Sequence, residues 1–115
     1  MITAKFNLIS PVLDASCNRY KILSLNTIDL ELPSIFIEDN LDIDSCLSHI
    51  INRHTDGHDM HHNFKLTDVV LSDILEIYYI VFITYETTIK DAHLIDIEPI
   101  LNKLPNNAKK ILSLL

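Results

Sequence analysis

One histidine-rich stretch has the residue types that could bind a metal ion. Positions 54–62 read His-Thr-Asp-Gly-His-Asp-Met-His-His. Neutral imidazole and carboxylate groups are good ligands for zinc and related divalent ions. The candidate ligands are His54, His58, His61 and His62. The alternative interpretation is a solvated loop without a cofactor, because the spacing matches no established zinc motif.

Other chemical groups are sparse. Glu38 and Asp39 are adjacent carboxylates that could bind a cation, although hard cations prefer about six oxygen ligands. The chain has a single glycine, Gly57, which leaves no glycine-rich phosphate loop and no nucleophile elbow. The remaining acidic residues are interpreted as helix caps and solvated turn residues.

A helix at residues 42–55 is predicted to lie between the carboxylate pair and the histidines. Its apolar residues follow helical spacing and form one stripe: Ile43, Cys46, Leu47, Ile50 and Ile51. Asp42 can cap the first free N–H groups, and Asp44 lies where the helix dipole favours negative charge. Asp56-Gly57 is a suitable helix end, because glycine tolerates the left-handed cap.

The remaining elements are predicted from hydrophobic pattern and breaker residues. Strands are expected at 3–8 (an edge strand), 20–25, 30–37, 65–74, 77–86 and 93–97, with helices at 100–104 and 108–115. The 77–86 run is nearly all apolar up to Phe82, which favours a central strand covered on both faces. Its polar, β-favouring continuation suits strand addition by a partner, and the predicted interface residues are Thr84, Tyr85, Glu86, Thr87 and Thr88.

Residues 32–56 resemble the signature region of the Nudix hydrolase family. In that family a strand ending in Leu-Pro-Gly-Gly precedes a helix that carries acidic metal ligands. Leu32-Pro33-Ser34-Ile35-Phe36-Ile37-Glu38 aligns without a gap with the family's Leu-Pro-Gly-Gly-aromatic-Val-Glu. Leu47 and Thr55 also match the alignment, and the order of elements after the helix is similar to that of Nudix domains.

The resemblance implies a fold without the family's catalytic residues. Where the Nudix box has Gly, Glu, Arg-Glu, Glu-Glu and Gly, this chain has Ile35, Leu41, His49-Ile50, Arg53-His54 and Asp56. The expected fold class is α+β, an α/β/α sandwich with a mixed sheet, a helix at about 42–55 and a C-terminal helix. Because activity depends on the site and not on the fold, we expect a domain that is not an enzyme and has no catalytic residues.

Composition limits the partners. The 115 residues suffice for one domain, 1–115, with one core. A hydrophobic content of 48% and a mean hydropathy of +0.20 favour a folded chain. The net charge of -7 disfavours nucleic acid. No apolar run approaches the roughly 20 residues that span a bilayer, and the N-terminus does not resemble a signal peptide, so we expect no membrane partner.

These observations predict a catalytically inactive Nudix-like domain acting as a structural or interaction subunit of a larger assembly. The expected partners are other protein subunits, including copies of itself, in the cytoplasm or within a virion. The amino-acid composition, rich in Asn, Ile, Lys and Asp, is typical of a low-GC genome or a phage. Two alternatives stay open: a metal-dependent hydrolase of nucleoside diphosphate derivatives with a displaced site at Glu38, Asp39 and the histidines, and a metal-binding module built on the histidines alone.

Overall fold

The computed structural model of the protein describes residues 2–38, 42–56, 65–84 and 87–115. Within these ranges the strands are β1 (Ile2–Ile9), β2 (Pro11–Asp14), β3 (Arg19–Ser24), β4 (Ser34–Glu38), β5 (Lys65–Leu71), β6 (Leu75–Ile80) and β7 (His93–Ile95). The helices are α1 (Ile43–His54), α2 (Asn106–Leu112) and a 3₁₀ helix at Glu98–Lys103.

A four-stranded mixed sheet forms the centre of the fold, with strand order β4-β1-β6-β5. β1 and β6 are parallel, and the other two pairs are antiparallel. A second sheet, β2-β3-β7, is antiparallel throughout. α1 contacts β1 and β4, whereas α2 contacts β5. The predicted α+β class, with a mixed sheet between helices, is confirmed.

The hydrophobic core has two parts, one on each face of the main sheet. Alternate residues of a strand point to opposite faces, so Phe6 and Leu8 pack in the cluster that contains Leu47 and Ile51 of α1. Ile9 packs instead with residues of the 3₁₀ helix and α2 in the second cluster. This division places α1 on one face of the sheet and α2 on the other.

The predicted helix is confirmed as α1. The Asp42 side chain accepts the Asp44 backbone N–H at 3.3 Å, as expected for an N-cap. The described stripe residues are all buried: Cys46, Leu47, Ile50 and Ile51. The helix ends earlier than predicted, because Thr55 takes an extended conformation and its hydroxyl donates to the Ile51 carbonyl at 2.8 Å.

The predicted edge position of β1 and the predicted length of the 77–86 strand need correction, whereas the inner position of that strand is confirmed. β1 is an inner strand paired on both sides, not an edge strand. β6 is also inner, but it ends at Ile80. Beyond it, residues 81–83 follow the break between β1 and β2 through single hydrogen bonds, such as Val81 N–H to the Ile9 carbonyl at 3.0 Å. Over the described residues 81–84 the run therefore stays near the sheet without forming a regular strand.

The other elements are present with shifted bounds. β4 begins at Ser34, directly after Pro33, which lacks the N–H that a paired strand position requires. β5 and β7 are shorter than the predicted 65–74 and 93–97. α2 begins at Asn106, earlier than the predicted 108, and Pro105 is its N-cap residue. Proline is tolerated at this position because the N–H groups at a helix start have no partner within the helix.

Candidate functional site

A polar cleft lies on the face of the main sheet opposite α1. Strand register places Asn7 between Ser34 of β4 and Tyr78 of β6, and places Lys5 directly opposite Glu76. These side chains form the floor of a cavity of about 420 Å³. We call it the β1 cleft; its lining is Lys5, Asn7, Leu25, Leu30, Glu31, Leu32, Ser34, Glu76, Tyr78 and Lys103.

The wall of the β1 cleft is the connection between β3 and β4. The buried Ser24 hydroxyl organises this connection: it accepts the Glu31 N–H at 3.0 Å and donates to the Asn26 carbonyl at 2.7 Å. Lys103 reaches the rim from the 3₁₀ helix and its Nζ lies 3.0 Å from Asp29 Oδ1. The wall is therefore hydrogen-bonded to the end of β3 through Ser24 and to the 3₁₀ helix through Lys103.

Charges in the cleft are mixed. Lys5 Nζ lies 4.0 Å from Glu76 Oε1 and 5.7 Å from the centre of the Phe36 ring. Burial raises the pKa of Tyr78, and the negative charges of Glu76 and Asp68 raise it further. Tyr78 is therefore a neutral hydroxyl at physiological pH and can donate a hydrogen bond.

Asn7 is the least satisfied polar side chain in the cleft. The residue is 4% exposed, and its amide nitrogen has no hydrogen-bond partner among the described residues. A buried polar group without a partner costs about 1–3 kcal/mol of stability. Native proteins keep few such groups, and those they keep often have a functional role, so Asn7 marks the cleft as a candidate site.

The α1 positions that align with the Nudix box have other surroundings. Ile50 is 2% exposed and lies in the core. Arg53 is exposed and donates to His49 Nε2 at 3.4 Å. His54 is buried, with Nδ1 at 3.2 Å from the Lys90 carbonyl oxygen. Ile50 has no ligand atom, Arg53 carries a positive charge, and the His54 imidazole already contacts a carbonyl. These side chains do not fit the divalent ion that the family resemblance implies.

The predicted metal site is represented in the structure only by His54. His58, His61 and His62 lie outside the described residues, so the proposed ligand set stays a prediction. Within the described ranges no group of three His, Cys, Asp or Glu side chains is placed to hold a metal ion.

The predicted interface segment bonds to the residue after the α1 C-cap where it is described. Thr87 and Thr88 do not extend a strand; the Thr87 hydroxyl and the Thr88 N–H donate to Asp56. Thr84 is exposed, and Tyr85 and Glu86 lie outside the described residues. The segment's contact with a partner stays a prediction.

Sequence reasoning missed the β1 cleft. The alternation of Lys5 and Asn7 with Phe6 and Leu8 suggests polar residues facing solvent. The signal that could have found the site is Asn7 itself, because asparagine is depleted in strands and this one stands in the middle of a β-favouring run.

A larger groove lies elsewhere, between the β2–β3 hairpin and the C-terminal helix. Its volume is about 750 Å³. The charged residues Arg19 and Asp96 in its lining pair with each other at 3.3 Å. The described residues that line this groove include no buried polar side-chain atom without a hydrogen-bond partner, whereas the β1 cleft has Asn7. The β1 cleft is therefore the stronger candidate site.

The fold is that of Nudix domains. The NUDIX domain of NrtR from Shewanella oneidensis, complexed with ADP ribose, superposes with a TM-score of 0.61 at 12% identity, covering 100% of this chain and 90% of that one. The Ap4A hydrolase of C. elegans gives a TM-score of 0.54 at 9% identity, with 89% and 86% covered. A MutT/nudix family protein from Enterococcus faecalis gives 0.60 at 12%, covering 82% of this chain and 43% of the other. No family model and no curated protein matches the sequence.

The expectation that the domain is not an enzyme is corrected by this comparison. The chains that share its fold include the Ap4A hydrolase of C. elegans, so the fold gives no support to that expectation. At identities of 9–12% the likeness itself shows the fold. None of the helices in the described ranges has the length and apolar character needed to span a bilayer.

Proposed function

We propose that this Nudix-like domain binds a nucleoside diphosphate derivative in the β1 cleft. The observation that supports the proposal is Asn7, which lines a cavity large enough for a small ligand and whose buried amide nitrogen has no hydrogen-bond partner in the described part of the chain. A modest rotation of the side chain would bring this amide to a ligand. A ligand acceptor at this point would remove the cost of the unpaired amide.

The lining matches the parts of such a ligand. Lys5 and Lys103 supply ammonium groups that can bind phosphate oxygens as point charges, in competition with their present partners Glu76 and Asp29. The Tyr78 hydroxyl and Asn7 supply directed hydrogen bonds for a base or sugar. Apolar surface is supplied by Leu25, Leu30 and Leu32.

ADP-ribose is the first probe, because a NUDIX domain of the same fold forms a complex with it. Calorimetric titration of the whole chain with ADP-ribose should give saturable binding. Asn7→Leu should weaken that binding at least about tenfold, which corresponds to 1.4 kcal/mol. The variant should melt no lower than the wild type, because it removes an unsatisfied polar group and not a bonded one.

A matched pair of lysine variants separates local from general charge effects. Lys103→Met should weaken binding, whereas Lys110→Met, an exposed lysine of α2 outside the cleft lining, should not. Equal effects from both variants, or unchanged affinity in Asn7→Leu, would contradict a ligand site in the β1 cleft.

Hydrolysis of the bound ligand is the second candidate function, favoured by the hydrolases that share the fold. The described α1 residues do not fit a divalent ion. The ligands proposed for one are therefore the displaced set of Glu38, Asp39 and the histidines. Release of AMP from ADP-ribose in the presence of magnesium, manganese or zinc, and its loss in Glu38→Gln, is the outcome expected for a hydrolase.

A role within a larger assembly also stays a proposal. The acidic charge and the apolar content of the sequence favour protein partners. The solved structures of the same fold support only the Nudix-like fold. A virion location has no support beyond composition. Cross-linking in the native source, followed by identification of the attached chains, is the measurement that tests it.

A further inference from the structure

The outer edge of β5 is unusually apolar. β5 is the last strand in the order β4-β1-β6-β5, and no strand in the described part of the chain pairs with its outer side. Its exposed fractions are 51% for Leu66, 54% for Val69, 39% for Val70 and 81% for Leu71. Edge strands of stable monomers are normally protected by charges, prolines or bulges, since free N–H and C=O groups attract another strand.

Only one part of this edge is regular. The pairing of β5 with β6 shifts register between Leu66 and Asp68, and such a bulge bends a strand locally. From Val69 to Leu71 the ladder is continuous. Residues 69–71 are therefore the part of the edge that can accept a further strand.

The two faces of this short ladder are known from its register. Val69 and Leu71 lie opposite Ile77 and Leu75, on the face that α1 covers elsewhere. Val70 lies opposite Glu76, on the face of the β1 cleft. Both faces of the edge thus carry an exposed aliphatic side chain.

We propose that a second copy of this chain occupies the edge, with the two β5 strands antiparallel and Val70 opposite the partner's Val70. In this register Val69 lies opposite the partner's Leu71, so aliphatic pairs form on both faces. Asp68 lies opposite the partner's Ser72, and no like charges are opposed. The two main sheets then form one continuous sheet across the two-fold axis.

Charge disfavours the two registers shifted toward the start of β5. A pairing centred on Val69 would place the Asp68 carboxylate opposite the partner's Val70. A pairing centred on Asp68 would oppose two carboxylates, which is destabilising, and would place Lys65 against Leu71. Charge also argues against a basic peptide as the occupant. Asp68 is the one carboxylate of β5, and it already accepts hydrogen bonds from Asn107 and from the Ala108 N–H.

Cysteine cross-linking tests the register. In an antiparallel pair, opposed Cα atoms are about 4.5–5.5 Å apart, within the range that a disulfide spans. In a Cys17→Ser background, Val70→Cys should form a covalent dimer on mild oxidation, while Val69→Cys should do so far more slowly. Dimer formation at equal rates by both variants would overturn the register.

Mass measurement by light scattering tests the association itself. The wild type should shift from monomer to dimer between low and high micromolar concentration. Val70→Lys, which opposes two lysines, should remain monomeric with an unchanged circular dichroism spectrum. Ile28→Lys, at a residue 88% exposed outside β5, is the matched control and should still dimerise. A wild type that stays monomeric throughout, or a dimer that survives Val70→Lys, would refute the proposal.

Discussion

The Asp56 carboxylate accepts the backbone N–H of Thr88 at 3.0 Å, joining positions that are 32 residues apart. The Thr87 hydroxyl donates to the same carboxylate oxygen, and the Asp56 N–H donates to the Thr88 carbonyl at 3.0 Å. Nearby, the Lys90 N–H donates to the His54 carbonyl at 2.8 Å. The C-terminal end of α1 is thus fastened to residues 87–90 by backbone and side-chain bonds together.

Replacing Asp56 by alanine should lower the melting temperature at neutral pH. Hydrogen bonds from Thr87 and then Thr88 hold the pKa of Asp56 below its ordinary value, so its charged form is favoured in the folded state. The resulting stabilisation is complete above the unfolded-state pKa of about 3.9 and is lost as pH falls through the lower folded-state pKa. The difference in melting temperature between wild type and variant should shrink over that acid range.

Asp73→Ala is the control for this pH dependence, since Asp73 is an exposed aspartate of the turn between β5 and β6. It should leave the melting temperature nearly unchanged at every pH. A difference for Asp56→Ala that stays constant from neutral to strongly acidic pH would show that the carboxylate charge is not the cause.

Ile50→Asp should destabilise the domain by roughly 3–5 kcal/mol, because it removes core packing and buries an unpaired charge. Ile50 is 2% exposed and packs in the α1 side of the core. Asn52→Asp, on the exposed face of the same helix, should change stability little. Chemical denaturation of both variants measures the contrast, and equal unfolding midpoints would show that Ile50 is not a core residue.

Asp68→Ala should cost about 1 kcal/mol, the usual contribution of a side chain that satisfies free N–H groups at a helix start. Asp68 Oδ2 lies 3.3 Å from the Ala108 N–H, and Asp68 Oδ1 accepts the Asn107 amide at 3.1 Å. The expected loss comes from the docking of α2 on β5. Asp68→Asn retains an acceptor and should lose less; hydrogen exchange of the α2 amides would report the loosening directly.

Only one of the two cysteines should react quickly with a thiol reagent in the native protein. Cys17 is exposed, whereas Cys46 is buried on α1, where burial and then the charge of Asp42 raise the pKa of its thiol. Cys17→Ser should therefore abolish the fast phase, and denaturant should restore reaction of the remaining thiol. Fast labelling of native Cys17→Ser would mean that α1 opens readily.

Local patterns predict local structure well in this chain. The bounds of α1 follow from the spacing of Cys46, Leu47 and Ile50 and from the cap at Asp42, all within one helix. β1 shows the limit of the same reasoning. Its alternating polar residues predict an edge strand, yet they line a cleft, because the identity of a strand's neighbours is decided by long-range pairing.

The site is less predictable than the fold for a related reason. The β1 cleft exists because register brings Ser34, Asn7 and Tyr78 side by side from three separated segments. No spacing rule links those positions in the sequence. The histidine cluster, by contrast, is visible in the sequence because its members are adjacent, although adjacency does not decide whether they bind a metal ion.

The parallel pairing of β1 with β6 has a consequence for how the chain is made. It joins Ala4 to Leu75, 71 positions later, so β1 cannot complete its pairing until residue 75 and the rest of β6 have been synthesised. Until then Phe6, Leu8 and Ile9 lack their neighbours from β6, and contacts of such long range form slowly. Any chain interrupted before residue 75 therefore carries an apolar N-terminal segment with one side unpaired, which makes truncated products a natural target for chaperones and proteases.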